Sequence, residues 1–238
     1  MQDEPWEIEQ KGYERGINPL LGSFSRTFNF DPVPYGSSRR NNFKEQLKKD
    51  LIDINYVYFG EVKLEIILYL NEQKRYETPD LADLDNYAKL ICDSLKGSDG
   101  IFIDDCQIQS LNISWIDTTK KGYFEINISG HPDEYLMKTL KMYEMENSLY
   151  YPLSDKIWTT EGIIEEPIDT ELLNNLNKMV SNSKKRRHYM RLEGIEQNRA
   201  YFLSRYLAPT LTGFHKNRVI DSGFELVELK NWKENNFV

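Results

Sequence analysis

Asp83, Asp85, Lys89, Asp104 and Asp105 fall within one short stretch of this chain, and no other stretch gathers as much chemistry. Carboxylates a few ångströms apart repel unless a cation sits between them. A hard divalent ion that takes oxygen ligands relieves that repulsion. Beside a lysine, such an ion is an arrangement for handling phosphate. Asp83 and Asp85 are two apart, so an extended backbone points both side chains to one face. Asp85 then stands where a helix N-cap belongs, among exposed N–H groups that favour negative charge and attract phosphate. Lys89 follows at i+4, on the same helical face. Asp104 and Asp105 end a brief apolar strand, Ile101-Phe102-Ile103. If that strand runs beside the apolar run Val62 to Leu70, its tip lies near the start of the Asp85 helix and the two carboxylate pairs meet.

Each residue also has a purely structural reading. A lone aspartate before a helix is a cap far more often than a ligand. An Asp-Asp pair after a strand is usually a turn. Lys89 can be a simple i+4 partner of Asp85, and Asp93 a solvated neighbour of Lys96. Nothing near Cys106 favours its thiolate, so a structural role is expected for it. The conjunction is what carries the chemical reading, since one segment supplies both halves of the cluster and the lysine.

The elements that must position these residues read as an α+β unit. Phe24 to Phe30 predicts a first strand, ended by the Asp31-Pro32-Val33-Pro34 run. Ser37 or Ser38 caps a helix to about Asp53, with Phe43, Leu47 and Leu51 at helical spacing. Val62 to Leu70 reads as a central strand. A polar loop with Pro79 follows, then a helix over Tyr87 to Lys96, ended by Gly97. Gln107 to Ile116 and Lys121 to Ser129 are two longer strands joined by a turn. Residues 24–133 form this unit, closed by His131-Pro132-Asp133, with 1–23 an irregular lead-in. Residues 134–238 read as a mainly helical extension, with helices over Glu134 to Tyr150, Thr170 to Val180 and Lys184 to Leu207. The last places Tyr189, Leu192, Ile195, Leu203 and Tyr206 on one stripe. Tyr151 to Pro167 reads as acidic and irregular.

Composition narrows the class. The 238 residues are 39% hydrophobic and 13% aromatic, enough for a core. No apolar run reaches the roughly 18 residues a membrane helix needs. Met1 to Gln10 is polar and acidic, unlike a signal peptide. Two cysteines do not make a disulfide framework, so a reducing cytoplasm is expected. His131, His188 and His215 lack zinc-ligand spacing. The net charge is −8, yet 178–218 holds ten Lys and Arg against two Glu, a net of +8. That asymmetry points to a polyanion partner or to a solvated basic helix face.

Asp83-Leu84-Asp85-Asn86, then Lys89, then Asp93-Ser94-Leu95, then Gly100-Ile101-Phe102-Ile103-Asp104-Asp105-Cys106-Gln107-Ile108, resembles the core signature of RusA-like Holliday-junction resolvases. The match is ordered and gap-free over about 25 residues, and looser agreement extends it over about 24–131. The segment before Asp83 departs from the family's arginine-rich run: Lys74-Arg75 is followed by Glu77-Thr78-Pro79-Asp80.

The resemblance implies a mixed β-sheet with helices packed on it and a Mg²⁺-dependent endodeoxyribonuclease, with Mn²⁺ as substitute. Asp83, Asp85 and Asp105 would bind metal, Asp104 would support them, and Lys89 would meet the scissile phosphate. Arg39 and Arg40 resemble the family's N-terminal region and are expected on DNA, as are Lys184, Lys185, Arg186 and Arg187 of the extension. The expected substrate is a four-way junction in recombination and repair, cut by a homodimer, with no membrane involved. The alternatives are a non-catalytic DNA-binding or structural module that keeps the fold, and a nuclease for other branched DNA.

Overall fold

The structure, a computed structural model, describes residues 17–18, 23–78, 83–130, 134–159, 162–195 and 213–233. The chain divides into two compact units, 1–138 and 139–238. Expectations for the rest of the lead-in, for Pro79, for the closing residues 131–133 and for 196–212 lie outside the described residues.

Unit 1 is built on a five-stranded sheet. Its strands are β1 (Ile17–Asn18), β2 (Ser23–Phe28), β4 (Val62–Asn71), β5 (Ile108–Thr118) and β6 (Tyr123–Gly130), in the spatial order β1-β2-β6-β4-β5. A separate pair joins β3 (Tyr56–Tyr58) to β7 (Tyr135–Met137). β4 lies between β6, antiparallel, and β5, parallel. Its Val62, Leu64, Ile66, Leu68 and Leu70 are all buried, a strict period of two. Helix α1 (Arg40–Asp50) covers this face with Phe43 and Leu47. Phe28 stacks on Phe124 at 4.9 Å, and Phe43 lies 5.6 Å from the same ring.

Local boundaries differ from the sequence reading for identifiable reasons. Helix α1 starts after Arg39 with no side-chain cap, because the Ser37 hydroxyl accepts the N–H of Arg39 and so serves the turn before the helix. The polar loop after β4 contains a short helix, α2 (Glu72–Glu77), whose first turn is capped by the Asn71 side chain on the Lys74 N–H at 3.0 Å. Helix α3 (Leu84–Leu95) begins a turn earlier than expected, with Asp83 and not Asp85 at the N-cap. Ile101, Phe102 and Ile103 are fully buried, but they make only isolated bridges, Phe102 to Tyr58 and to Lys96. The neighbour that runs along β4 is β5.

Unit 2 corrects the expectation for Glu134 to Tyr150, which is not a helix. After β7, it forms the hairpin of β8 (Lys141–Glu144) and β9 (Leu149–Leu153). β12 (Phe214–His215) pairs with β9, and β13 (Glu225–Val227) pairs in parallel with β8, giving the order β12-β9-β8-β13. The stretch expected to be irregular contains a second hairpin, β10 (Lys156–Thr159) with β11 (Gly162–Glu165). The two expected helices from Thr170 onward are one, α4 (Thr170–Leu192), capped by Asp169 on the Leu172 N–H and followed by Gly194 at φ +82°. Short helices α5 (Lys216–Val219) and α6 (Leu229–Lys233) complete the described part. Leu173, Leu176 and Val180 of α4 pack with Tyr143, Met145, Tyr151 and Trp232. Tyr189 and Leu192, expected on an apolar stripe, are largely exposed. Among the described residues no helix is long and apolar enough to cross a membrane.

Candidate active site

Helix α3 presents the first half of the carboxylate set. Asp83 holds an extended φ/ψ at the N-cap and its side chain makes no capping bond. Asp85 sits in the first turn, and both carboxylates are exposed. The free N–H groups of that turn favour the negative charge there. Lys89 is exposed one turn on, and its ammonium lies over the Tyr35 ring, 4.2 Å from the centroid, rather than on Asp85. The Tyr35 N–H donates to the Asn86 carbonyl at 3.0 Å, which ties the 31–39 loop to the start of α3. Arg40 approaches the same ring at 5.9 Å.

The second half lies elsewhere. Asp104 is only 2% exposed, and its carboxylate accepts the Cys106 N–H at 3.1 Å. Gln107 closes this capping box: its side-chain oxygen accepts from Ile103 and Asp104 N–H, and its amide donates to the Tyr58 and Gly60 carbonyls. Asp105 turns to Lys96, 3.4 Å away. Lys96 also meets Asp93 at 3.4 Å and Asp104 at 3.9 Å. Burial works against the Lys96 charge, but Asp105, Asp93 and Asp104 together outweigh it and hold the ammonium above the ordinary lysine value. Asp105 and Asp93 also reinforce burial in pushing the nearby Cys92 thiol up to about 12. That thiol is inert, while Cys106 is exposed.

The two halves are therefore at opposite ends of α3. Eight residues separate Asp85 from Asp93, a helical rise of about 12 Å. Among the described residues, no group of three or more His, Cys, Asp or Glu is arranged to hold a metal ion. Asp83 and Asp85 offer the hard oxygen donors that Mg²⁺ or Mn²⁺ takes. Asp105 does not join them, and Asp104 is spent on the capping box. The four carboxylates do not fit one shared ion site in this arrangement.

Beside the Asp83 end lies a cleft of about 700 Å³ between the 31–39 loop and α2. Asp31, Ser37, Arg39, Lys74, Arg75 and Tyr87 are on its walls. Lys74 and Arg75 were legible only as a departure from the resemblance. The signal for their placement was Asn71 three residues ahead of Lys74 with Glu72 between, a helix start inside an apparently polar loop.

Residues 32–129 match the family model “Endodeoxyribonuclease RusA”. Unit 1 carries a RusA-type domain. The match begins at the proline run of the 31–39 loop and ends within β6, so it takes in both ends of α3, the capping box and the cleft lining other than Asp31. A Haemophilus influenzae protein named “Putative methyltransferase” is 30% identical over 113 residues, 40% of this chain and 38% of that protein. The chain thus spans well under half the length of that relative.

Proposed function

We propose that this chain is an endodeoxyribonuclease that hydrolyses phosphodiester bonds in branched DNA, with four-way junctions as substrate. The RusA match over 32–129 carries the reading, because it covers the segment with Asp83, Asp85, Lys89 and Asp105. Lys89, exposed and one turn from Asp85, supplies positive charge to the phosphoryl oxygens as negative charge develops there. Arg39, Arg40 and the run Lys184 to Arg187 contact the DNA backbone. Paired nicks in a four-way junction take two sites related by a two-fold axis, so the working form is a homodimer. A chain with two cysteines and a DNA substrate suits the cytoplasm. The Mg²⁺ dependence implied by the resemblance, with Mn²⁺ as substitute, has no support in the placement of Asp105.

The test is cleavage of a synthetic four-way junction in Mg²⁺ beside linear duplex and Y-shaped controls. Junction nicking is expected, and Asp85→Asn should abolish it while DNA binding remains measurable. Nicking at the normal rate by that variant would remove Asp85 from the active site. One observation favours a second reading, a DNA-binding module without catalysis: Lys96, an internal cation, already neutralises Asp105. Thermal melts with and without Mg²⁺ separate the two. A closed carboxylate site gains stability from the ion, and a set of caps and ion pairs does not.

A further inference from the structure

The cleft beside α2 has a charge pattern that the carboxylates of α3 do not explain. Arg39 and Lys74 reach it from opposite walls, and their side chains are 61% and 62% exposed. Asp31 stands between them, only 19% exposed, with Oδ2 at 3.3 Å from Lys74 and 4.0 Å from Arg39. Its other oxygen is pressed against Gly122, where a Cβ would come within 2.8 Å of it. The carboxylate is the enclosed member of the trio, and the two cations reach it from solvent. Arg75 adds a third cation, anchored on Asp117 at 2.6 Å, and its buried Nε–H has no acceptor among the described residues. Helix α1 opens at the same cleft with no side-chain cap and no acidic residue in its first turn. Three cations and an uncapped helix start against two carboxylates, Asp31 and the Asp117 that anchors Arg75, leave the cleft short of negative charge.

We propose that this cleft seats a DNA backbone phosphate and that Asp31 is its built-in competitor, bridging Arg39 and Lys74 until a phosphate takes its place. A phosphate presents the same oxygens to the same two donors, with more acceptor sites and the Arg75 charge besides. The inference rests on the nuclease reading for the identity of the polyanion. A competitor of this kind weakens binding to isolated phosphates and favours a backbone that brings several at once.

The experiment is four-way-junction binding by fluorescence anisotropy in EDTA, from 50 to 200 mM NaCl. The Arg39→Gln/Lys74→Gln double variant should flatten the slope of log affinity against log salt by about 0.9, the share of the one phosphate no longer neutralised. Asp31→Asn should tighten binding severalfold and steepen the slope. Both slopes equal to that of the unsubstituted chain would overturn the proposal. Thermal protection by inorganic phosphate that the double variant loses, with an unchanged DNA slope, would assign the cleft to a small phosphate compound and overturn the backbone assignment. Melting curves report that both variants are folded, and the substituted cations are more than half exposed. Cleavage by the same proteins, assayed separately in Mg²⁺, separates the two claims. Shifted slopes without cleavage remove the nuclease and keep the cleft, and normal cleavage with unshifted slopes removes the cleft alone.

Discussion

Lys138 ends the β7 segment with its ammonium largely enclosed. Burial pushes its pKa down to about 8, with Asp99 and Asp53 acting against that push and Arg26 adding to it. The unfolded chain then binds more protons than the folded one between about 8 and the ordinary lysine value, so stability rises with pH across that window. Lys138→Met should therefore stabilise the protein at pH 7 by on the order of 2 kcal/mol, since a tenfold change in proton affinity corresponds to about 1.4 kcal/mol. Urea titrations at pH 7, 8, 9 and 10 should show that advantage shrinking as pH rises. At this scale the sequence was informative where a residue's role is local. Asp83 and Asp85 open a helix, Asp93 meets Lys96, and both follow from spacing along the chain. Asp105 was not legible, because its partner is a lysine nine residues back that folds over from the end of α3. Nothing in the spacing tells a carboxylate whether it will face an ion or an ammonium.

The segment Ile101 to Gln107 shows why an apolar triplet need not become a strand of the sheet. The Leu95 carbonyl takes the Ile101 N–H, Tyr58 N–H goes to the Ile101 carbonyl, and Gln107 satisfies the N–H groups of Ile103 and Asp104. With its donors met by a helix end and one side chain, the triplet has no need of a ladder along β4. Gln107 makes four hydrogen bonds from a buried position, so Gln107→Ala strands two amides and two carbonyls away from water. The expected loss is about 3 kcal/mol, read as a lowered urea midpoint, because each orphaned buried group costs about 1–3 kcal/mol and part of that is relieved by relaxation. The β8–β9 hairpin was missed for a different reason. Leu136, Leu140 and Tyr143 do have helical spacing, but β8 is fixed by a parallel partner more than eighty residues later, which no local pattern contains. The Asn147-Ser148 pair was the turn signal in the sequence, and in the structure Ser148 takes φ 59°, where a helix does not continue.

Over the whole molecule, charge is divided as the sequence suggested. Helix α4 buries Leu173, Leu176, Asn177 and Val180, and from Ser181 to Leu192 no residue is buried. That bare half carries Lys184, Lys185, Arg186, Arg187 and Arg191 without an acidic residue. An isolated helical stretch of this length is marginal in water, so it is held by the packed half before it. Replacing Lys184 to Arg187 with glutamine should flatten the salt dependence of junction binding by about 0.9 for each of these residues that meets a phosphate. An unchanged slope would make the run a solvated face. Melting behaviour should change little, since none of the four is buried.

The strand order has a consequence for how the chain can be made. Both neighbours of β4 come after it, β5 at 108–118 and β6 at 123–130. During synthesis this greasy inner strand emerges with neither flank covered and must wait for some sixty further residues to leave the ribosome. Until then it offers two bare rows of amides to any other nascent chain. Expression fragments that stop short of residue 130 should collect as insoluble material, even when they include every residue of the RusA signature.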